Sequence, residues 1–502
     1  MTDATRSVLR SVPSGTARAR SGCSRRSVLG VGAGLAALGL ASAPAMADPV
    51  AGSRHTSGSV PGVPFTFRYH PFVLRDLPDR IRPYHMEVAV PLRDTGPHDA
   101  EGVRMFLLDG RLYDHPVAQA QYGLRLIEAY RLTGNTEYLT RARKQAQRLV
   151  DRRVPIGNAW FYPYPFRHQL HLSPDVYDPP WYSMMAQGQA LSLFCRLYRV
   201  TGETLWRTAA NASFASFLVP PVAGRPWGVY VVDGLLWLEE YPDPRRVVGD
   251  RTYNGHVFSA YGLWDYWVLT GDERAKVLLQ GALTTFRDVH TPMSNRNWRS
   301  KYCLRHAMDA GVYHTVHINE HVQCYAITRD TIFARIAELY YTDHPPTNSG
   351  GKILFQAGTH TGYRFDGTGT VLATKTVSLP RHSSAPASER CRVIGQDGVW
   401  YRISAGLWAG YHVREIPGRS YQLGVSGPLD YLVPRPATVV RAPLVAYTIT
   451  AGGSMTSVVT NLRAGDRITL DQRAVLNGVD HLRIASGAYA GKWVGYSAVH
   501  RL

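Results

Sequence analysis

Three stretches of this 502-residue chain repeat one layout. Each opens on a small, polar cluster (Ala120-Gln121-Tyr122-Gly123, Ala186-Gln187-Gly188-Gln189, Asn254-Gly255-His256-Val257), continues with helical spacing of apolar residues, and stops at a Thr-Gly pair. The pairs end at Gly134, Gly202 and Gly271, 68 and 69 residues apart, and amphipathic segments follow over 136–149, 203–217 and 272–286. Glycine suits the left-handed cap of a finished helix, and Asn135, Glu203 and Asp272 suit the start of the next. The unit is a helical hairpin. One hairpin cannot bury its own apolar stripe, so several must stack. This predicts a mainly α domain over 104–345, an α/α toroid whose inner helices line a cleft. Roughly 35 residues separate one hairpin from the next, long for connectors, and long ordered loops at one end of a toroid are a natural place for a site.

The ends of the chain read differently. Residues 1–47 carry an Arg- and Ser-rich start, Ser24-Arg25-Arg26-Ser27-Val28-Leu29, a short apolar run and Ala45-Met46-Ala47, the pattern of a twin-arginine signal peptide. Residues 48–103 are expected to be a linker followed by irregular structure with a few strands. A Pro/Gly/Ser boundary at 346–351 precedes short β-type runs in which Arg402-Ile403, Gly406, Ala409-Gly410 and Val413 recur 81 residues later as Arg483-Ile484, Gly487, Ala490-Gly491 and Val494. Two SH3-like all-β repeats are expected, over 352–425 and 426–502, with Trp400, Trp408 and Trp493 available to stack on a cell-wall polymer. The expectation is a separable domain.

Removal of residues 1–47 takes away six arginines and one aspartate, lowering the formal charge from +18 to +13. So basic a protein favours polyanions. Export, to the exterior or the cell wall, argues against nucleic acid and points to an acidic polysaccharide. No apolar run is long enough for a membrane span. Of five cysteines, Cys23 lies in the signal; Cys195, Cys303, Cys324 and Cys391 show no CxxC spacing, so no metal box is visible and no metal or cofactor is expected. Pairing of Cys303 with Cys324 is conceivable, and a homodimer is left open.

Chemistry-bearing residues gather outside the repeats in Leu238-Glu239-Glu240-Tyr241-Pro242, Tyr302-Cys303-Leu304-Arg305-His306 and Tyr313-His314-Thr315-Val316-His317-Ile318-Asn319. Together with His115-Pro116-Val117, Trp181-Tyr182-Ser183-Met184-Met185-Ala186 and Tyr261-Gly262-Leu263-Trp264-Asp265, in that chain order, they resemble the C-terminal helical domain of the D-glucuronyl C5-epimerase family. The resemblance covers roughly 104–342; Cys303 stands where the family prefers aspartate. It implies proton abstraction and return at C5 of a glucuronate residue within an acidic, heparosan-type polysaccharide. Glu240 and Tyr313 are then the pair flanking C5, Tyr241 and Tyr302 complete the catalytic set, and Arg305 grips the sugar carboxylate. His306, His314, His317, Asn319, Gln187 and Asn254 bind hydroxyls or orient these groups. The chemistry is consistent: a hydrogen α to a carboxylate is weakly acidic, so a base must meet it while a cation absorbs the growing charge. A tyrosine serves as acid or base if Arg305 lowers its pKa. A polysaccharide lyase begins with the same abstraction, and a non-catalytic wall-binding protein is a third reading. A hydrolase would want two acids across a cleft, which adjacent Glu239 and Glu240 do not provide.

Overall fold

The computed structural model describes residues 56–171 and 175–502; the expected signal segment lies outside them. Among the described residues eight long helices form four hairpins: α1 (Pro116–Thr133) with α2 (Thr136–Arg152), α3 (Met184–Thr201) with α4 (Thr204–Ser216), α5 (Tyr253–Thr270) with α6 (Glu273–Asp288), and α7 (Tyr313–Thr328) with α8 (Thr331–Asp343). The architecture is of the α/α-toroid type, with α1, α3, α5 and α7 inside. The recurrent threonine has a specific job. Thr133, Thr201, Thr270 and Thr328 each donate to the carbonyl four residues back and accept from the N–H two residues on, stitching one helix to the next. Gly134, Gly202 and Gly271 then take φ of about +70°. In the fourth hairpin Arg329 holds this left-handed conformation (φ 59°), so no Thr-Gly pair marks it and the repeat count by glycine stops at three.

The inner helices touch backbone to backbone. A Cβ added at Gly188 would lie 2.5 Å from Ser259 Cα, and one at Gly262 2.3 Å from the Gly188 carbonyl oxygen. Residues 184–197 of α3 are buried without a break, as expected for a helix enclosed on all sides. At the C-terminal ends of the inner helices, Arg196 pairs with Asp265 and Arg82 with Glu128, all buried. Segment 65–92 crosses this end as an irregular belt, its carbonyls taking side-chain donors from ring helices in turn. Gln280 reaches Phe72, Gln323 reaches Ile81, Arg196 reaches Pro83 and Tyr122 reaches Leu92. That end is closed. The long connections gather at the other end, around the N-termini of α3, α5 and α7.

Two seven-stranded antiparallel sheets follow. In the first the strands lie in the order 371–379, 358–365, 412–414, 400–403, 383–391, 348–355, 420–422; in the second 455–459, 445–449, 493–495, 479–484, 467–476, 425–439, 499–501. Position for position the order is the same, so the duplication seen in sequence is a duplication of topology. Three expectations meet a different arrangement here. Strand Asn348–Phe355 runs through the stretch read as a linker, and Gly351 is there for close approach, since a Cβ would sit 2.5 Å from the Gln422 side chain. Trp400, Trp408 and Trp493 are 5%, 1% and 6% exposed, filling the small β cores instead of offering stacking faces. Nor is the β region loosely tethered. Leu429 and Tyr431 belong to the main helical core. Glu338 of α8, 1% exposed, binds Arg435 at 2.6 Å and Arg501 at 2.9 Å and accepts from Tyr431. Burial pushes the Glu338 carboxyl up, but Arg435, Arg501 and Arg473 outweigh it and hold it ionised.

Replacing that carboxylate leaves buried arginines without a counter-charge. Glu338→Gln should therefore cost about 3–5 kcal/mol in denaturant unfolding. Truncation after Gly351, which deletes all three arginines, should leave no stably folded helical domain by circular dichroism and thermal melting.

Candidate functional site

Glu240 sits where the strand Leu235–Leu238 runs out between α3 and α5. Backbone bonds fix the spot: Glu239 N–H donates to the Gly228 carbonyl (2.7 Å), and the Glu239 carbonyl accepts from Met184 N–H at the start of α3 (2.8 Å). The two glutamates diverge, as neighbours on extended chain do. Glu239 turns to the 249–251 loop and accepts from Arg251 N–H (3.0 Å). Glu240 lies over the first turn of α5, where a Cβ on Gly255 would be 2.2 Å from Oε2. Only glycine leaves that space. Burial pushes both carboxyls up to about 8.

Three tyrosines surround Glu240. Tyr302 Oη donates to Glu240 Oε2 at 3.4 Å, and its ring meets Tyr313, the first residue of α7, edge-on with centroids 5.2 Å apart. Tyr241 stacks near His168 (5.5 Å) and Trp181 (6.1 Å), at the edge of an aromatic wall built on the Tyr164–Trp181 stack at 3.8 Å. Burial, then the Glu240 charge, raises the Tyr313 hydroxyl to about 12 and lifts those of Tyr241 and Tyr302 as well. The hydroxyls thus stay protonated across the neutral range. Arg305 does not depress them as expected, because its guanidinium is turned to Asp175 (Nη1 to Oδ2, 3.2 Å).

Asp175, Asp250 and the 302–306 loop form a second cluster beside the first. His306 spans two carboxylates, Nδ1 to Asp250 Oδ1 at 2.6 Å and Nε2 to Asp175 Oδ2 at 3.2 Å. His171 Nε2 meets Asp250 Oδ2 at 3.2 Å and Cys303 Sγ at 3.6 Å. Although burial opposes it, hydrogen bonds from His171 and His306 hold the Asp250 carboxyl below its ordinary value. The Cys303 thiol, buried beside this carboxylate, is pushed up to about 12. Four donor groups, from His171, Asp250, Cys303 and His306, lie together with all donor atoms within 4.8 Å, an arrangement able to hold a metal ion. Cys195, Cys303, Cys324 and Cys391 are all free, so the conceivable Cys303–Cys324 bridge is not formed.

The remaining expected site residues divide. Asn254 is buried next to Gly255 with its Oδ1 unpartnered among the described residues. Gln187 is used up structurally, accepting from Tyr162 N–H and donating to the Trp160 carbonyl and Ser216 Oγ. His314 is likewise held between Ser300 N–H and the Tyr340 carbonyl, with burial lowering its pKa to about 4, and His317 is held by Ser300 Oγ. Asn319 is exposed, for a helical reason: Tyr313, His317 and Glu320 share one face at i, i+4, i+7, and Asn319 falls off it. Glu320 is the residue sequence reasoning passed over. It is 3% exposed, neither carboxyl oxygen has a hydrogen-bond partner among the described residues, and burial plus the Glu240 charge raises its pKa well above normal. The same i, i+4, i+7 spacing could have exposed it.

Residues 157–342 match the family described as "D-glucuronyl C5-epimerase C-terminus". A D-glucuronyl C5-epimerase from Caenorhabditis elegans is 25% identical over 181 residues, 32% of this chain and 29% of that protein, so the chain matches under a third of the relative's length. Among solved structures, cellobiose 2-epimerase from Spirochaeta thermophila (14% identity, TM-score 0.36, 50% of this chain and 64% of that one) is similar. So is a GH76 α-mannanase from Bacteroides thetaiotaomicron (14% identity, TM-score 0.34, 49% and 62%).

The raised Glu320 predicts a stability effect with a definite sign. The folded chain holds a proton there that the unfolded chain releases above its ordinary value of 4.5, so folding stability contributed by this group falls as pH rises past that point. Glu320→Gln should flatten the decline in Tm between about pH 5 and 8 relative to the parent; an unchanged slope would mean Glu320 does not stay protonated in the folded protein.

Proposed function

We propose, on the match of residues 157–342 to the D-glucuronyl C5-epimerase C-terminus family, that this protein inverts C5 of glucuronate residues in an acidic polysaccharide. The observation that carries the reading is Glu240, a buried carboxyl at about 8 ringed by three tyrosine hydroxyls that hold their protons. A base poised near neutrality and an acid that remains protonated are what C5 inversion requires.

In this mechanism the ionised Glu240 takes the C5 hydrogen, and the electron pair moves onto the sugar carboxylate as an enediolate. Tyr313 returns a proton to the opposite face. The phenolate so formed is recharged from Glu240 through Tyr302, which bonds Glu240 and packs on Tyr313. The positive N-terminal ends of α3, α5 and α7 favour the growing negative charge. Arg305 grips the sugar carboxylate by sharing its guanidinium with Asp175, while Arg245 and Arg246, 61% and 53% exposed at their side chains, offer further cations to a polyanion. The twin-arginine pattern expected of residues 1–47 and the basic charge support a substrate outside the cytoplasm. Among the described residues no helix is long and apolar enough to cross a membrane.

Heparosan-type polymer incubated in deuterated water should acquire deuterium at C5 together with iduronate, read by NMR; unsaturated ends in place of iduronate would make the protein a lyase. Turnover should fall by about 10²–10⁴-fold in Tyr313→Phe and in Glu240→Gln, with affinity little changed. Values within a few-fold of the parent for both would remove these residues from the mechanism. Because Glu240 must be ionised to act, kcat/KM should rise with pH through about 8; a profile falling across that range would reverse its role.

A further inference from the structure

The cluster of His171, Asp250, Cys303 and His306 is assigned no part in the proton transfers, yet its four donor atoms lie within 4.8 Å of one another, close enough to converge on one ion once the 2.6 Å hydrogen bond between His306 Nδ1 and Asp250 Oδ1 opens. Tetrahedral zinc with Zn–S of about 2.3 Å and Zn–N or Zn–O of about 2.0–2.2 Å sets its ligand atoms about 3.3–3.7 Å apart. Here Cys303 Sγ lies 3.6 Å from His171 Nε2 and 4.0 Å from His306 Nδ1, and His171 Nε2 lies 3.2 Å from Asp250 Oδ2. Asp250 and Cys303 are fully buried, and His171 and His306 are partly buried.

The surroundings are of the kind that orients ligands. A ligating imidazole generally donates its other N–H to a carboxylate, which fixes the tautomer. His306 presents Nδ1 to the cluster, while its Nε2 faces Asp175 Oδ2 at 3.2 Å. Thr252 Oγ1 donates to Asp250 Oδ2 (3.0 Å). The backbone is braced too: Thr252 pairs with Cys303 in a β-bridge, Arg305 N–H donates to the Asp250 carbonyl, and His171 itself takes a left-handed φ of 54°. Non-glycine residues hold that conformation only where their surroundings impose it.

We propose that His171, Asp250, Cys303 and His306 bind one zinc ion in a closed, structural site. Thiolate and imidazole donors with one carboxylate select a borderline-soft cation over calcium or magnesium. The Cys303 thiol binds as thiolate and its proton passes to solvent; Asp250 exchanges its hydrogen bonds for the metal. The ion joins three inter-hairpin connections, those carrying His171, Asp250, and Cys303 with His306. It thereby holds the loop that presents Tyr302 and Arg305. This assignment stands apart from the reaction proposed above, since it rests on donor geometry alone.

The test uses the full chain, stripped with a chelator and titrated with Zn²⁺ alone. One zinc per chain by elemental analysis and a rise in Tm are expected, and cobalt substitution should give a thiolate-to-metal charge-transfer band. Cys303→Ser and His171→Ala should each lower affinity by more than about 100-fold, and Asp175→Asn, which touches no donor of the cluster but removes the carboxylate that faces His306 Nε2 and also pairs with Arg305, by about 10–100-fold. Cys391→Ser is the control, because Glu389, Cys391 and His412 form another group of donors and its loss should leave the cobalt band intact. If Cys303→Ser does not fold, the cobalt spectrum of the parent decides. Absence of the thiolate band, substoichiometric zinc, or a band abolished by Cys391→Ser would overturn the assignment and leave the cluster a hydrogen-bonded network.

Discussion

The backbone of α3 rests directly on the backbone of α5, with Gly188, Gly262 and Ser259 at the crossing, and most of the site inherits its geometry from that approach. Side chains of ordinary size would hold the axes wider apart. The strand ending in Glu239 and Glu240 is pinned to the N–H of Met184 on one helix, while Glu240 itself lies over Gly255 on the other. A looser crossing would move the carboxylate relative to Tyr302, whose backbone carbonyl accepts from Tyr253 N–H at the start of α5. The acid and its tyrosines are thus placed by helix termini. Close-packed interiors transmit such positions with little slack.

Burial does the electrostatic work. Among the described residues no cation offsets the burial of Glu239, Glu240 and Glu320, Arg251 beside Glu239 included, so desolvation raises all three. Glu338, equally enclosed, meets three arginines and stays charged. The same residue type is therefore a carboxyl that readily keeps its proton at one end of the helical array and a fixed anion where α8 meets the β sheets. The difference is the neighbour, not the depth. Asp250 is intermediate, buried but held ionised by histidines, which is also why the cluster around it carries donors suited to a cation.

Much of the architecture was legible because it repeats. The Thr-Gly punctuation disclosed three hairpins, and the 81-residue offset disclosed the duplicated sheets, since both reflect local hydrogen bonding that every copy must satisfy. The fourth hairpin escaped because Arg329 adopts the turn conformation that glycine marks elsewhere. Of the site, Glu240, Tyr241, Tyr302 and Tyr313 were named from sequence motifs and do come together; Gln187 and His314 were named too, but their polar atoms are already engaged by Tyr162, Ser216, Ser300 and Tyr340. Motif position does not reveal whether a side chain still has a hydrogen bond to give.

By itself the sequence determined what is periodic or local: helix starts and stops, the hairpin unit, the β duplication, and the residue types available for proton transfer. Tertiary structure alone decided which of those residues meet. His171 and Cys303 are 132 positions apart and share one cluster, whereas His317 and Asn319, two apart, face opposite ways. It also decided which groups ionise, that the tryptophans of the β repeats point inward, and that Glu338 joins helices to sheets. Each of these depends on long-range packing and desolvation, which arise only when distant segments exclude water together.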